Sequence, residues 1–146
     1  MGMGFGANCV DVIEWSQIKR IVPKEARALA RELKKAGVSM DNFCQLMDRE
    51  EWDYAEIKSD DPNAVEKAIQ QITNAWETLA AAFTKATTVD GAGLELTPRF
   101  HNADNDGDRY DDVSGGFFHV EGVHQLTPAG RKFADKIERK FFVTFG

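Results

Sequence analysis

Apolar residues recur every three or four positions along much of the chain, which is the spacing of helices that bury one face. A first helix is predicted with Pro23 in its first turn and Gly37 just past its end. A second follows, with Ser39 or Asp41 capping its first turn. The longest is predicted to start after Asp61. The three predicted helices cover residues 22–37, 39–52 and 59–87.

Other stretches alternate apolar and polar residues, which is the pattern of a strand with one buried face. Leu94, Leu96 and Phe100 fall on one face of such a strand. Pro98 should confine this strand to a sheet edge or a bulge, because proline cannot donate a backbone hydrogen bond. This strand covers residues 91–101. The remaining predicted elements are a strand over 8–15, a strand or hairpin over 115–126, a helix over 127–142 and a last strand over 143–146.

The order of these elements predicts an α+β fold. We expect a small, mostly antiparallel sheet of about four or five strands, with three or four helices packed on one face. A chain of 146 residues fits one globular domain, residues 1–146. Charged residues make up 29% and hydrophobic residues 42%, so the composition is that of an ordinary globular protein.

The net charge limits the classes of partner, and the number and spacing of the cysteines limit their chemistry. The net charge of −6 argues against nucleic acid and anionic membranes as partners, because both attract clustered Lys and Arg. No apolar run approaches the ~18 residues that cross a bilayer. The two cysteines, Cys9 and Cys44, form no CxxC motif and are expected to be buried free thiols. We expect a cytoplasmic protein whose partner is another protein.

Carboxylates are most concentrated in "NADNDGDRYDDV", residues 102–113, with five aspartates in twelve positions. Carboxylates at alternate positions around a glycine can converge on one hard cation. The stretch resembles the calcium loops of EF-hand, dockerin and thrombospondin type 3 proteins. Ca²⁺ is expected in preference to Mg²⁺, because flexible all-oxygen loops tolerate its variable coordination. The expected metal ligands are Asp104, Asp106, Asp108 and Asp112, with Asn102 and Asp111 as further candidates.

The resemblance is incomplete, and a second interpretation of the loop stays open. When Asn102 opens the loop, Val113 stands where the calcium loops carry an acidic residue. Asn, Asp and Gly are also the residues of solvated turns, because each tolerates tight backbone conformations. The loop is therefore either a cation site or a polar connection between two strands.

A second cluster follows if the strands on either side of the loop pair with each other. Alternation then places two sets of residues on one sheet face: Glu95, Thr97, Arg99 and His101, and Phe117, His119 and Glu121. One register sets His101 opposite His119 and Arg99 opposite Glu121. Two histidines beside a carboxylate would suit a metal site or an acid–base pair. The same residues would equally suit a solvated sheet face.

Recognisable catalytic motifs are missing from the sequence: it has no GxxxxGK[ST], no GxSxG and no GxGxxG after a strand. We expect a small accessory protein that works by binding, with no catalysis and no cofactor of its own. The first alternative is Ca²⁺ binding by residues 102–112. The second is a metal-dependent hydrolase that uses the same loop with His101, His119 and Glu121.

Overall fold

A computed structural model describes residues 5–49, 57, 59–88, 93–101, 115–123, 126–128, 133 and 135–145. Within them the chain forms four helices and four strands, which confirms the α+β class. The helices are α1 Trp15–Ile21, α2 Pro23–Ala36, α3 Met40–Arg49 and α4 Pro62–Ala86. The strands are β1 Phe5–Ile13, β2 Glu95–His101, β3 Gly115–Glu121 and β4 Glu138–Phe145.

Helices α2, α3 and α4 each have one end at a residue that the sequence pattern signals. Helix α2 stops at Gly37, whose φ of +74° is the left-handed conformation that glycine adopts without a Cβ clash. The Ser39 hydroxyl accepts the Asn42 N–H at 3.1 Å and caps α3. The Asp61 carboxylate accepts the Asn63 N–H at 3.0 Å and caps α4.

The strands form one sheet in the order β2-β3-β1-β4, and each described pair is antiparallel. Strand β2, which contains Pro98, lies at an edge, as the proline predicts. The C-terminal end of helix α4 is hydrogen-bonded to the residue that precedes this strand. The Leu94 N–H donates to the Thr87 hydroxyl, and the Thr84 hydroxyl donates to the Leu94 carbonyl, both at 3.0 Å.

The core lies between the helices and one face of the sheet. Phe118 of β3 stacks between two tryptophans, with ring centroids 5.7 Å from Trp15 and 5.8 Å from Trp76. Phe43 of α3 lies 5.6 Å from Trp76. Such aromatic pairs stabilise a core beyond the area that they bury. Strand β3 is thereby joined to α1, α3 and α4 through one aromatic cluster.

Two predicted elements differ from the structure. Trp15 begins helix α1, so the first strand ends at Ile13 instead of extending to residue 15. The helix predicted over 127–142 is wrong over residues 138–142, which belong to β4. Its apolar residues recur at intervals of four, and residues four apart share a face in a strand as well as in a helix. Pairing with β1 determines the outcome.

Candidate functional site

Strands β2 and β3 form a hairpin whose register differs from the expected one. His101 pairs with Gly115, and His119 pairs with Thr97. The prediction that His101 faces His119 is therefore wrong, and the two residues are separated by roughly 13 Å along the strands.

The predicted pairing of Arg99 with Glu121 is wrong for the same reason. Arg99 pairs with Phe117, and Glu121 pairs with Glu95. The observed register differs from the expected one by four residues along β3. Side-chain alternation does not define the register, because any even shift keeps the same residues on each face.

The predicted division of the hairpin into two faces is confirmed. Leu96, Phe118 and Val120 are buried in the core, on the face toward the helices. The opposite side is called here the hairpin face, and none of its six described residues belongs to the core cluster. The hairpin face consists of Glu95, Thr97, Arg99, Phe117, His119 and Glu121.

Helix α3 holds the hairpin with two carboxylates. Asp48 accepts the backbone N–H of Phe100 at 3.1 Å, and its other oxygen lies 3.0 Å from the Arg99 guanidinium. Asp41 accepts the backbone N–H of Gly116 at 3.1 Å. Residues seven apart lie on one side of a helix, so both carboxylates reach the hairpin from the same side of α3. One carboxylate binds each strand.

A close contact between helix and strand accompanies these bonds. A Cβ on Gly116 would lie 2.9 Å from the Cβ of Cys44 and 3.1 Å from the Cα of Asp41. Side chains are not found that close, so only glycine allows α3 to approach β3 at this distance. The neighbouring Gly115 has a φ of +83°, a conformation that L residues seldom adopt.

Cys44 lies between the two carboxylates on the buried side of α3. Its side chain is fully buried, and the thiol is free. Burial raises the pKa of the Cys44 thiol to about 12, with further contributions from Asp41 and Asp48. Since the thiolate is the reactive form of cysteine, this residue is an inert part of the core at neutral pH. The expectation of a buried free thiol is confirmed for Cys44; the Cys9 side chain lies outside the described residues.

The hairpin face brings like charges together at one end. Glu95 and Glu121 are directly opposite each other, and both side chains are exposed. Like charges in opposite positions of an antiparallel pair destabilise it. His119 lies on the same side, with its Nδ1 3.8 Å from the Glu121 carboxylate. A cation between the two glutamates would relieve their repulsion.

The predicted metal ligands of the loop lie outside the described residues. They are Asp104, Asp106, Asp108 and Asp112, together with Asn102 and Asp111. The side chain of His101 is also outside the description. Within the described part of the chain, no group of three or more His, Cys, Asp or Glu residues could hold a metal ion. The backbone pair of His101 with Gly115 closes the base of this loop.

The sequence motifs do not point to the two residues that hold the hairpin. Asp41 fits a helix cap, and Asp48 belongs to no motif. A signal for both was available, because they lie on the same side of α3 as Cys44. A carboxylate on the packing side of a helix needs a hydrogen-bond donor from whatever it packs against.

Comparisons with known proteins give no relative from which a role could be transferred. No protein-family model, curated protein or solved structure matches the chain. No helix in the described part of the chain is long and apolar enough to cross a membrane.

Proposed function

We propose that the protein works in the cytoplasm by binding another protein through the hairpin face, with no catalysis of its own. The main support is that helix α3 holds the two strands that form this face. Asp41 and Asp48 each bind a backbone N–H of one strand, while the side chains of the hairpin face stay outside the core. A surface held in its binding conformation loses little entropy when a partner docks.

The composition of the hairpin face supports the same proposal. Phe117 and Arg99 are opposite each other, and aromatic residues and arginine are enriched at protein interfaces. Glu95 and Glu121 form an exposed pair that costs stability. A partner that presents a lysine or arginine between the two glutamates would turn this repulsion into attraction. The proposed partner therefore carries a basic side chain at the contact.

The test compares which proteins are captured by the wild type and by two charge-reversal variants. Glu95→Lys with Glu121→Lys changes the hairpin face at exposed positions only. Glu66→Lys with Glu77→Lys is the matched control, with the same charge change on exposed positions of α4. Captured proteins are identified by mass spectrometry from cells that produce each tagged variant at equal level.

The proposal expects a partner that is recovered with the wild type and the α4 variant but lost with the hairpin variant. Recovery of the same proteins with both variants would contradict a role for the hairpin face. A thermal melt of each variant excludes unfolding as the cause of a loss.

Ca²⁺ binding by residues 102–112 is the second candidate function. The observation that favours it is the position of α3. Asp41 and Asp48 contact the two strand ends that lead into the loop, so two further carboxylates lie at its base. The His101–Gly115 pair holds the two ends of the loop together, which limits how far its carboxylates can separate. Calcium accepts six to eight oxygen ligands in flexible geometry.

A thermal melt of the metal-stripped protein tests this second candidate. A dissociation constant of ~10 μM and 1 mM Ca²⁺ would stabilise the fold by about 2.7 kcal/mol. For a chain of this length the melting temperature would rise by roughly 5–10 °C. The rise should be absent in Asp106→Asn and present in Asp60→Asn, a matched change at an exposed position outside the loop. No rise in the wild type would leave the loop as a polar turn.

A further inference from the structure

The two edges of the sheet differ in how they are protected. At the β2 edge, Leu94 is hydrogen-bonded to threonines of α4, and the Phe100 N–H is bound by Asp48 of α3. Between them, Pro98 has no N–H to offer. Proteins commonly block edge strands with proline and side-chain contacts of this kind, because an open edge recruits further strands. Strand addition at β2 is therefore obstructed.

The β4 edge lacks these devices within the described part of the chain. Strand β4 runs from Glu138 to Phe145 and contains no proline. Its extensive contacts with described elements are with β1 alone. Its last five residues, Phe141–Phe145, are aromatic or β-branched and carry no charge. An uncharged segment of this composition at a sheet edge readily pairs with another strand.

We propose that two copies of the chain pair through their β4 strands, antiparallel and related by a twofold axis, to form one continuous sheet. A twofold contact is self-complementary: when one residue of the first copy pairs with a second residue of the other copy, that second residue of the first copy pairs with the first residue of the other. With the axis at Val143, Phe141 of one copy is opposite Phe145 of the other. Arg139 and Lys140 then lie beyond the paired segment, so basic residues do not oppose each other.

Strand β1 adds a reason for this contact. Among the residues that the structure describes, β1 pairs with β4 over Phe5–Val12 and with β3 at Val12 and Ile13. Within this part of the chain, most of the β1–β4 pair is thus a two-stranded ribbon. Two-stranded ribbons are marginal in water, and three or more strands are needed for stability. Joining two ribbons at β4 gives four adjacent strands, and a second copy supplies them with no further protein.

The test is the mass of the full chain in solution. Sedimentation velocity from about 5 to 200 μM should show a species of twice 16.3 kDa. Val143→Lys places two lysines at the axis and should give a monomer, as should Val143→Glu. Mixing the two variants places lysine opposite glutamate and should restore the dimer. Thr97→Lys, a matched change in β2, should leave the dimer unchanged.

Two outcomes would overturn the proposal: a wild-type monomer at every concentration, or a dimer that persists in both Val143 variants. The first would mean that β4 is open or covered by the chain itself, and the second that another surface joins the copies. If a Val143 variant unfolds, as judged by circular dichroism, amide exchange of the wild type shows whether the β4 strands of two copies pair. Protection of β4 that rises with protein concentration supports pairing, and protection independent of concentration contradicts it.

Discussion

Gly116 lies where helix α3 comes closest to the hairpin, and its missing side chain is what allows that approach. In Gly116→Ala, the new Cβ would be 3.1 Å from the Cα of Asp41, so the helix backbone has to move. Overpacking of this kind costs about 1–3 kcal/mol. Urea unfolding of the variant should show this loss in the free energy of unfolding. An unchanged free energy would mean that α3 does not pack this closely against β3.

Cys44 gives the fold a dependence on alkaline pH. Burial raises its pKa from the ordinary 9.0 to about 12, so above pH 9 the unfolded chain releases the thiol proton while the folded chain keeps it. The unfolded state then binds fewer protons, and this residue's contribution to stability falls by about 1.4 kcal/mol per pH unit. Cys44→Ala lacks this effect. The stability difference between wild type and variant should therefore shrink from pH 8 to pH 10.5; a constant difference would contradict the buried thiol.

At the scale of elements, Asp48 joins α3 to β2 through an ion pair and a hydrogen bond, which contribute unequally to stability. The ion pair with Arg99 is partly exposed, with 44% of the arginine side chain accessible, and such pairs contribute less than about 1 kcal/mol. The bond to the half-buried Phe100 N–H is worth more, because losing it leaves a donor unsatisfied.

Asp48→Ala should therefore destabilise the protein by about 1–3 kcal/mol, and Arg99→Ala by less than about 1 kcal/mol. Urea unfolding of both variants measures the two losses. The larger loss should persist in about 0.5 M NaCl, since salt screens the ion pair but not the backbone bond. Equal losses that vanish in salt would mean that the ion pair is the main connection.

Element prediction from the sequence succeeded where local signals suffice. The starts of α2 and α4 follow from Pro23 and from Asp61 with its following proline, because caps act within one turn. The end of β4 was predicted as a strand, but residues 138–142 were predicted as helix. Their apolar spacing fits both helix and strand, and only pairing with distant β1 decides between them. Helix α1 was missed because its seven residues leave little room for a period to appear.

At the scale of the whole molecule, the fold class and the two faces of the hairpin were predictable, but the arrangement of the site was not. Alternation correctly assigned Phe118 to the core and His119 to the opposite face. The register of that hairpin was not predictable from alternation, because a shift by any even number of residues keeps the same side chains on each face. The observed register differs from the expected one by four residues.

Helix α3 fixes the hairpin through Asp41 and Asp48, and amide hydrogen exchange tests these two contacts most directly. The Phe100 and Gly116 N–H groups donate to these carboxylates, so both should exchange slowly in the wild type. Asp48→Ala should expose Phe100 and leave Gly116 protected, and Asp41→Ala should do the reverse. Exchange of both wild-type amides at the rate of an unstructured chain would contradict the account.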